Sequence, residues 1–282
     1  MTYTTLTEQV AEQGALFNVR TEKLLTSGGT EIDDRVAIVN ADSGQSLGLV
    51  SPKYKVVTNE EIVGHMDSAL QKSGVDLDGM TARVRSSHGG ARVMVDIEIP
   101  SHAIVIDGDE SRLSITVKNS YDGRWKYGSY AGAVRMACLN GQVLGNFVSS
   151  YTEFHNSRLD VEAGADKLVG MVEDFHQAED WFKRMIDRKI DREQLLRSIA
   201  VFTTGKSKIE DREEFLKKPT VRKIEELYLT YSTEMGQNAW ALYNAMTDFV
   251  SHRNYKEGTH AASLDFNREK LRATLSSAKV FA

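Results

Sequence analysis

The sequence predicts an α+β fold: an antiparallel, strand-rich N-terminal half with one early helix, followed by a helical C-terminal half. Three observations predict it. Between residues 31 and 150, short runs rich in β-branched and aromatic residues are separated by Gly- and Asn-containing turns. From residue 160 onward, apolar residues recur at offsets of three and four, the spacing of one helix face. Strands and helices do not alternate along the chain, which argues against a doubly wound parallel sheet. Texture divides the chain into an N-terminal arm with a short helix (1–30), an α+β sheet domain (31–158) and a helical region packed on it (159–282).

In order, Leu6 to Leu16 reads as a short amphipathic helix that stops before a Ser-Gly-Gly break at Ser27–Gly29. Val36–Val39 and Leu47–Val50 read as strands joined by the turn Asn40-Ala41-Asp42-Ser43-Gly44. Tyr54–Val57 stays extended after Pro52. Asn59 is then placed to cap a helix from Glu60 to Lys72, with Ile62, Val63, Met66, Ala69 and Leu70 on one face and Gly74 ending it. Met80–Ser86 and Arg92–Ile99 form a hairpin by pattern. Leu113, Ile115 and Val117 alternate with Ser114, Thr116 and Lys118, which predicts a strand buried on one face only. Extended segments Arg124–Tyr130 and Val134–Cys138 follow. A helix of about seven turns is predicted to carry the stripe from Leu168 to Ile186, and further helices at Arg192–Phe202, Pro219–Tyr231, Gly236–Val250 and Phe266–Val280.

Composition restricts the function classes. The chain has 282 residues, 41% hydrophobic and 27% charged, enough to bury a substantial core and too apolar for wholesale disorder. A single cysteine, Cys138, rules out an internal disulfide, a cysteine-rich zinc site and a CxxC pair; its neighbours Met136, Ala137 and Leu139 point to a buried small hydrophobe. The opening MTYTTLTEQV lacks the basic and apolar regions of a secretory signal, and no apolar run reaches the roughly 20 residues that span a bilayer, so a cytoplasmic protein without a membrane partner is expected. Phosphate-loop, dinucleotide, nucleophile-elbow and zinc-protease motifs are missing, and the histidines are scattered, so neither catalysis nor a cofactor is expected. Glu173-x-x-His176 matches half of a di-iron helix signature without a second half, and a polar helix face explains it.

One stretch departs from the overall charge of −5. Between Ser111 and Asn140, Arg112, Lys118, Arg124, Lys126 and Arg135 face the single acid Asp122, a local charge of +4. Tyr121, Trp125, Tyr127 and Tyr130 are interleaved with them. Cations neutralise phosphates, and flat aromatics stack on unpaired bases, each stack contributing about 1–3 kcal/mol. Arg83 and Arg85, two residues apart, add to this surface if their hairpin pairs beside Arg112–Lys118. The candidate nucleic-acid-binding set is therefore Arg83, Arg85, Lys118, Arg124, Trp125, Lys126, Tyr127 and Arg135. The plainer reading makes Trp125 and Tyr127 core residues, with the basic face merely solvated. Trp240, Tyr243, Met246, Phe249 and Val250 form a helical stripe that serves either as core or for self-association.

Several stretches together resemble a family of phage- and plasmid-borne proteins, domain of unknown function 932. They are Gly48-Leu49-Val50-Ser51-Pro52-Lys53-Tyr54 with Asn59-Glu60-Glu61, then Lys118-Asn119-Ser120-Tyr121-Asp122-Gly123, then Val134 to Asn140, and Asn238-Ala239-Trp240-Ala241-Leu242-Tyr243-Asn244-Ala245 through His252. Gly141 departs from the pattern, which has a small hydroxyl residue there. The resemblance implies a mobile-element origin. The order of helix and strands in 59–139 is also similar to phage single-strand annealing proteins, an analogy of topology alone. The expectation is a single-stranded DNA-binding or strand-annealing protein of replication or recombination, acting as a homo-oligomer without metal or nucleotide. The alternative is a non-enzymatic interaction factor that modulates a host or defence complex.

Overall fold

Turn chemistry and apolar period divide the chain into eighteen elements in the computed structural model, which describes residues 4–137, 140–143, 150–278 and 281. Helix α1 (Leu6–Glu12) leads into β1 (Val19–Leu25), β2 (Glu31–Asn40) and β3 (Ser46–Val50). Helix α2 (Asn59–Lys72) precedes β4 (Thr81–Ser87), β5 (Arg92–Ile106), β6 (Asp109–Ser120), β7 (Tyr127–Arg135), β8 (Asn140–Val143) and β9 (Ser150–Glu153). The second half holds α3 (Val161–Asp174), α4 (Gln177–Asp187), α5 (Arg192–Thr204), α6 (Arg212–Lys217), α7 (Pro219–Met235), α8 (Ala239–His252) and α9 (His260–Ser277). The fold is α+β, with antiparallel sheets first and helices after. Cys138, expected to be a buried small residue, lies outside the described residues.

Strands β1-β2-β3 form a small sheet, and β4-β5-β6-β7-β8 a larger one in which β9 also pairs with β7. Residues 19–25, expected within an arm, are the edge strand of the small sheet, and the Ser27–Gly29 break is part of the loop between β1 and β2. Helix α1 seals the edge of the large sheet. The Gln9 side chain donates to Met80 O at 3.0 Å and accepts from Ala82 N at 2.7 Å. Gln13 repeats the pattern on Ala82 O and Val84 N, both at 2.8 Å. Two glutamines one helical turn apart thus satisfy backbone groups that an open strand edge would leave unpaired.

In the large sheet, Arg83 lies opposite Asp96 and Asp96 opposite Thr116, so Arg83, Arg85, Met94, Asp96, Ser114, Thr116 and Lys118 share one face. Val93, Val95, Ile97, Leu113, Ile115 and Val117 share the other, buried in the main core. Burying each such side chain contributes about 1.5–3 kcal/mol. The polar face was expected to be solvated, yet Ser114 and Thr116 are buried as well. Helix α9 crosses β4 and β5 on that side, and α8 packs on β8. The sheet is therefore covered twice, and its polar face becomes an internal, hydrogen-bonded layer.

Three further boundaries differ from the pattern. Thr58, not Asn59, caps α2, its hydroxyl accepting from Glu61 N at 3.0 Å. The expected seven-turn helix breaks between α3 and α4 at Phe175–His176, where Phe175 is buried. Residues 121–126 form an irregular bend, so the strand expected from Arg124 begins only at Tyr127. The stripe on α8 is core within the chain: Trp240 packs on Phe182, Tyr243 on Trp181, and Met246 and Val250 are buried.

Candidate functional site

The eight residues singled out by charge and aromaticity fall into three places. At the bend before β7, Arg124 and Lys126 are exposed and Trp125 is half-buried. The Lys126 ammonium lies 4.0 Å from the centre of the Phe154 ring, which is 59% exposed. Phe154, next to the end of β9, was not anticipated, because nothing in its local sequence marks it as solvent-facing.

Lys118 and Arg85 lie beneath α9. Lys118 Nζ donates to Asp265 at 2.9 Å and lies 3.6 Å from Glu269, with the Trp125 and Tyr130 rings each 5.8 Å away. Burial works against its charge, but Asp265, Tyr130 and Glu269 outweigh it and hold the ammonium above its ordinary range. Arg85 pairs with Asp96. The sheet does bring Arg83, Arg85 and Lys118 onto one surface, but α9 covers much of it. Arg83 alone of the three is exposed.

Tyr127 and Arg135 lie apart from either group. Tyr127 is fully buried, its ring edge-on to Tyr151, so it offers no face to a base. Strand alternation turns it into the core, the role that the plainer reading gave it. Arg135 is 5% exposed and its Nε donates to both Asp109 oxygens at 2.6 and 2.7 Å, with the guanidinium over Tyr231. A side chain held in this way cannot reach a passing phosphate without breaking a buried ion pair.

Beside the covered layer, strands β4 to β8 with α8 and α9 line a pocket of about 300 Å³. Its charged walls are Arg83, Arg85, Asp96, Glu98 and Arg268, with His252 and His260. Asp96 is the hub. It accepts from Thr116 Oγ1 at 2.5 Å and from Arg268 through two nitrogens at 2.8 and 3.3 Å, and it pairs with Arg85. Burial first, then the like charges of Arg268 and Arg83, push the Arg85 guanidinium down to about 9. Burial, followed by the same three arginines, holds His260 below the ordinary histidine range. Arg268 and His260 were not anticipated: Asp96 and Thr116, the partners of Arg268, and Arg83 and Arg85, which act on His260, lie more than a hundred residues away, and a helix pattern does not reveal them. Gly141, where the resemblance led to the expectation of a small hydroxyl residue, lines this pocket. A Cβ there would lie 3.0 Å from Arg268 Nη2 and 3.5 Å from Ser251 Oγ.

Two of the stretches that carried the resemblance, Gly48–Glu61 and Lys118–Gly123, meet at the end of β6. Tyr54 donates to Ser120 O at 2.6 Å, and the Tyr121 hydroxyl accepts from Asn59 N at 3.0 Å. The Asn119 side chain donates to Asn59 Oδ1 at 2.9 Å. Gly48 lies against the backbone of Tyr121 and Asp122, with no room for a Cβ. A family model described as a domain of unknown function, number 932, matches residues 46–275. The chain belongs to that family. In this member of the domain of unknown function 932 family, the match begins at the first residue of β3 and ends within α9, so it takes in the bend, the pocket and the polar knot. No curated protein and no solved structure matches the chain. Among the described residues, no helix is long and apolar enough to cross a membrane, and no three His, Cys, Asp or Glu side chains group to hold a metal ion.

Proposed function

We propose that this protein binds single-stranded nucleic acid at the bend between β6 and β7 and acts by binding rather than by catalysis. The observation that carries the reading is the grouping at that bend: exposed Arg124 and Lys126, half-buried Trp125, and the exposed Phe154 ring under the Lys126 ammonium. Cations that track phosphates beside an exposed ring, whose face away from Lys126 can take a base, are what an unpaired strand needs, whereas a duplex hides its base faces. The bend also answers a difficulty of the sequence. A flat strand would turn Arg124 and Lys126 away from Trp125, and an irregular segment does not impose that alternation. The overall charge of −5 supports a local contact of this kind and not a coat of protein along the strand.

Fluorescence anisotropy with labelled single- and double-stranded oligonucleotides across a salt series tests the reading. Binding should favour the single strand and weaken linearly in log–log form with salt. Each cation removed by Arg124→Ala or Lys126→Ala should reduce that slope by about 0.7. Phe154→Ala should cost about 1–3 kcal/mol if a base stacks there. Tyr127→Phe, at a buried site, should leave affinity unchanged. No binding at low salt, or an unchanged slope in the Arg124→Ala/Lys126→Ala double variant, would overturn it.

A further inference from the structure

The pocket under α9 holds more positive charge than its own carboxylates neutralise. Two buried guanidiniums, Arg85 and Arg268, share the single carboxylate of Asp96. Glu98, the other acid in the wall, lies 3.4 Å from Arg112, which Glu110 holds more closely at 2.6 Å, so the three guanidiniums of the pocket face two carboxylates. Arg83 adds a third guanidinium at the exposed edge, and His260 an imidazole from the first turn of α9. Incompletely compensated charge in a buried place destabilises the fold, and an incoming anion removes that penalty. The polar walls suit such an anion. Guanidinium forks match phosphate oxygens in pairs. Ser251 Oγ accepts from Gly141 N at 3.0 Å, which leaves its own proton to donate. A space of about 300 Å³ takes a group larger than a bare ion.

We propose that this pocket is a binding site for a phosphate monoester, held by Arg83, Arg85 and Arg268 with His260 and the Ser251 hydroxyl. A monoester fits better than a diester because its three terminal oxygens and nearly two negative charges at neutral pH match three guanidiniums, which exceed Asp96 and Glu98 by one charge and stand beside the His260 imidazole. The ligand is either the terminal phosphate of a nucleic-acid strand or a free phosphorylated small molecule such as a nucleoside monophosphate. The site is separate from the bend before β7, and the assignment stands whether or not a strand binds there.

The test is calorimetric titration and thermal shift of the full chain with inorganic phosphate and with a nucleoside 5′-monophosphate, against chloride at matched ionic strength. Two variants accompany it. Arg83→Ala removes an exposed charge that the fold does not need. Gly141→Val fills the pocket against Arg268 Nη2 and removes no charge. Both phosphate probes should bind the parent chain, and each variant should weaken binding about tenfold or more, the loss of one charge-assisted contact. Binding that the two variants leave unchanged, or a response no larger than that to chloride, would overturn the site. Oligonucleotides with a 5′-phosphate or a 5′-hydroxyl then separate the sources. A 5′-phosphate preference that Arg83→Ala abolishes assigns a strand end, and monophosphate binding without that preference assigns a free small molecule; either supports the monoester site. Arg124→Ala/Lys126→Ala should weaken the 5′-hydroxyl oligonucleotide and leave phosphate binding intact, so failure at one site is distinguishable from failure at the other.

Discussion

Replacing Asp96 by Asn tests whether the polar layer under α9 is organised around one carboxylate. Asp96 is 11% exposed at its side chain, and its partners Arg268 and Arg85 are 9% and 15% exposed, so solvent screens the cluster little. The amide keeps one oxygen for Arg268 but removes the only charge between two guanidiniums. Taking one partner from a buried ion pair costs about 3–5 kcal/mol, and the retained hydrogen bond places this variant near 3–4 kcal/mol. The control is Asp265→Asn. There Lys118 keeps a second acid, Glu269 at 3.6 Å, which is 45% exposed and is shared with Arg272 at 2.8 Å. Its cost should be the smaller, about 1.5–3 kcal/mol, the range of a hydrogen bond to a charged group. Urea unfolding followed by tryptophan fluorescence measures both, since Trp125 lies against Lys118 and Trp181 and Trp240 report the helical core. The midpoint should shift at constant slope. A cost below about 1 kcal/mol for Asp96→Asn, or a larger cost for Asp265→Asn, would refute the hub argument.

Two further outcomes follow from the geometry. Gly48→Ala would put a Cβ 2.5 Å from Asp122 Cα and 2.7 Å from Tyr121 O, backbone atoms that cannot step aside, so urea unfolding should show a loss of about 2–3 kcal/mol or more. His155 is buried and stacked on Tyr54, and burial, only partly opposed by its hydrogen bond to the Lys55 carbonyl, holds it below the ordinary histidine range. The unfolded chain therefore binds the proton more readily, and stability should be level above about pH 6.5 and fall as the pH drops below it. Thermal melts between about pH 8 and pH 5 should show that fall, and His155→Gln should flatten part of it; a profile level throughout would refute the reasoning.

What could be read in the sequence was whatever local period or turn chemistry determines. The Asn40–Gly44 turn is built as its residues dictate, with Asn40 Oδ1 accepting from the amides of Asp42 and Ser43. The hairpin of β4 and β5 and the helices near Arg192, Pro219, Gly236 and Phe266 were legible for the same reason. The Asp107-Gly108 hairpin turn, with both φ positive, carried a clear signal that the strand pattern alone did not use. The second burial of the sheet had no local signal at all. Ser114, Thr116 and Lys118 read as a wet face because they are polar, and they become internal through Asp265 and Arg268, residues that a helix supplies about 150 positions later. The candidate site divides in the same way: Arg124, Trp125 and Lys126 stand out from composition, whereas Phe154, Arg268 and His260 enter only through tertiary contact.

The recognisable stretches and the candidate sites do different physical work. Gly48, Tyr54, Asn59, Asn119, Ser120 and Tyr121 interlock by hydrogen bonds and close backbone approach, and they fix how α2 and the small sheet meet the end of β6. Those demands are narrow: a missing Cβ, an amide that both donates and accepts, a phenol reaching a backbone amide. Such constraints make a family visible in sequence, and they specify a scaffold. The charge surplus of the pocket is set differently, by Arg83, Arg85 and Arg268 against Asp96, and of these only the elements that carry them need the scaffold. Loss of Arg83 would leave the knot intact and remove the exposed edge of the anion site. In this chain the fold and the proposed anion site are therefore separable, and Arg83→Ala should weaken phosphate binding while it leaves the urea midpoint where it is.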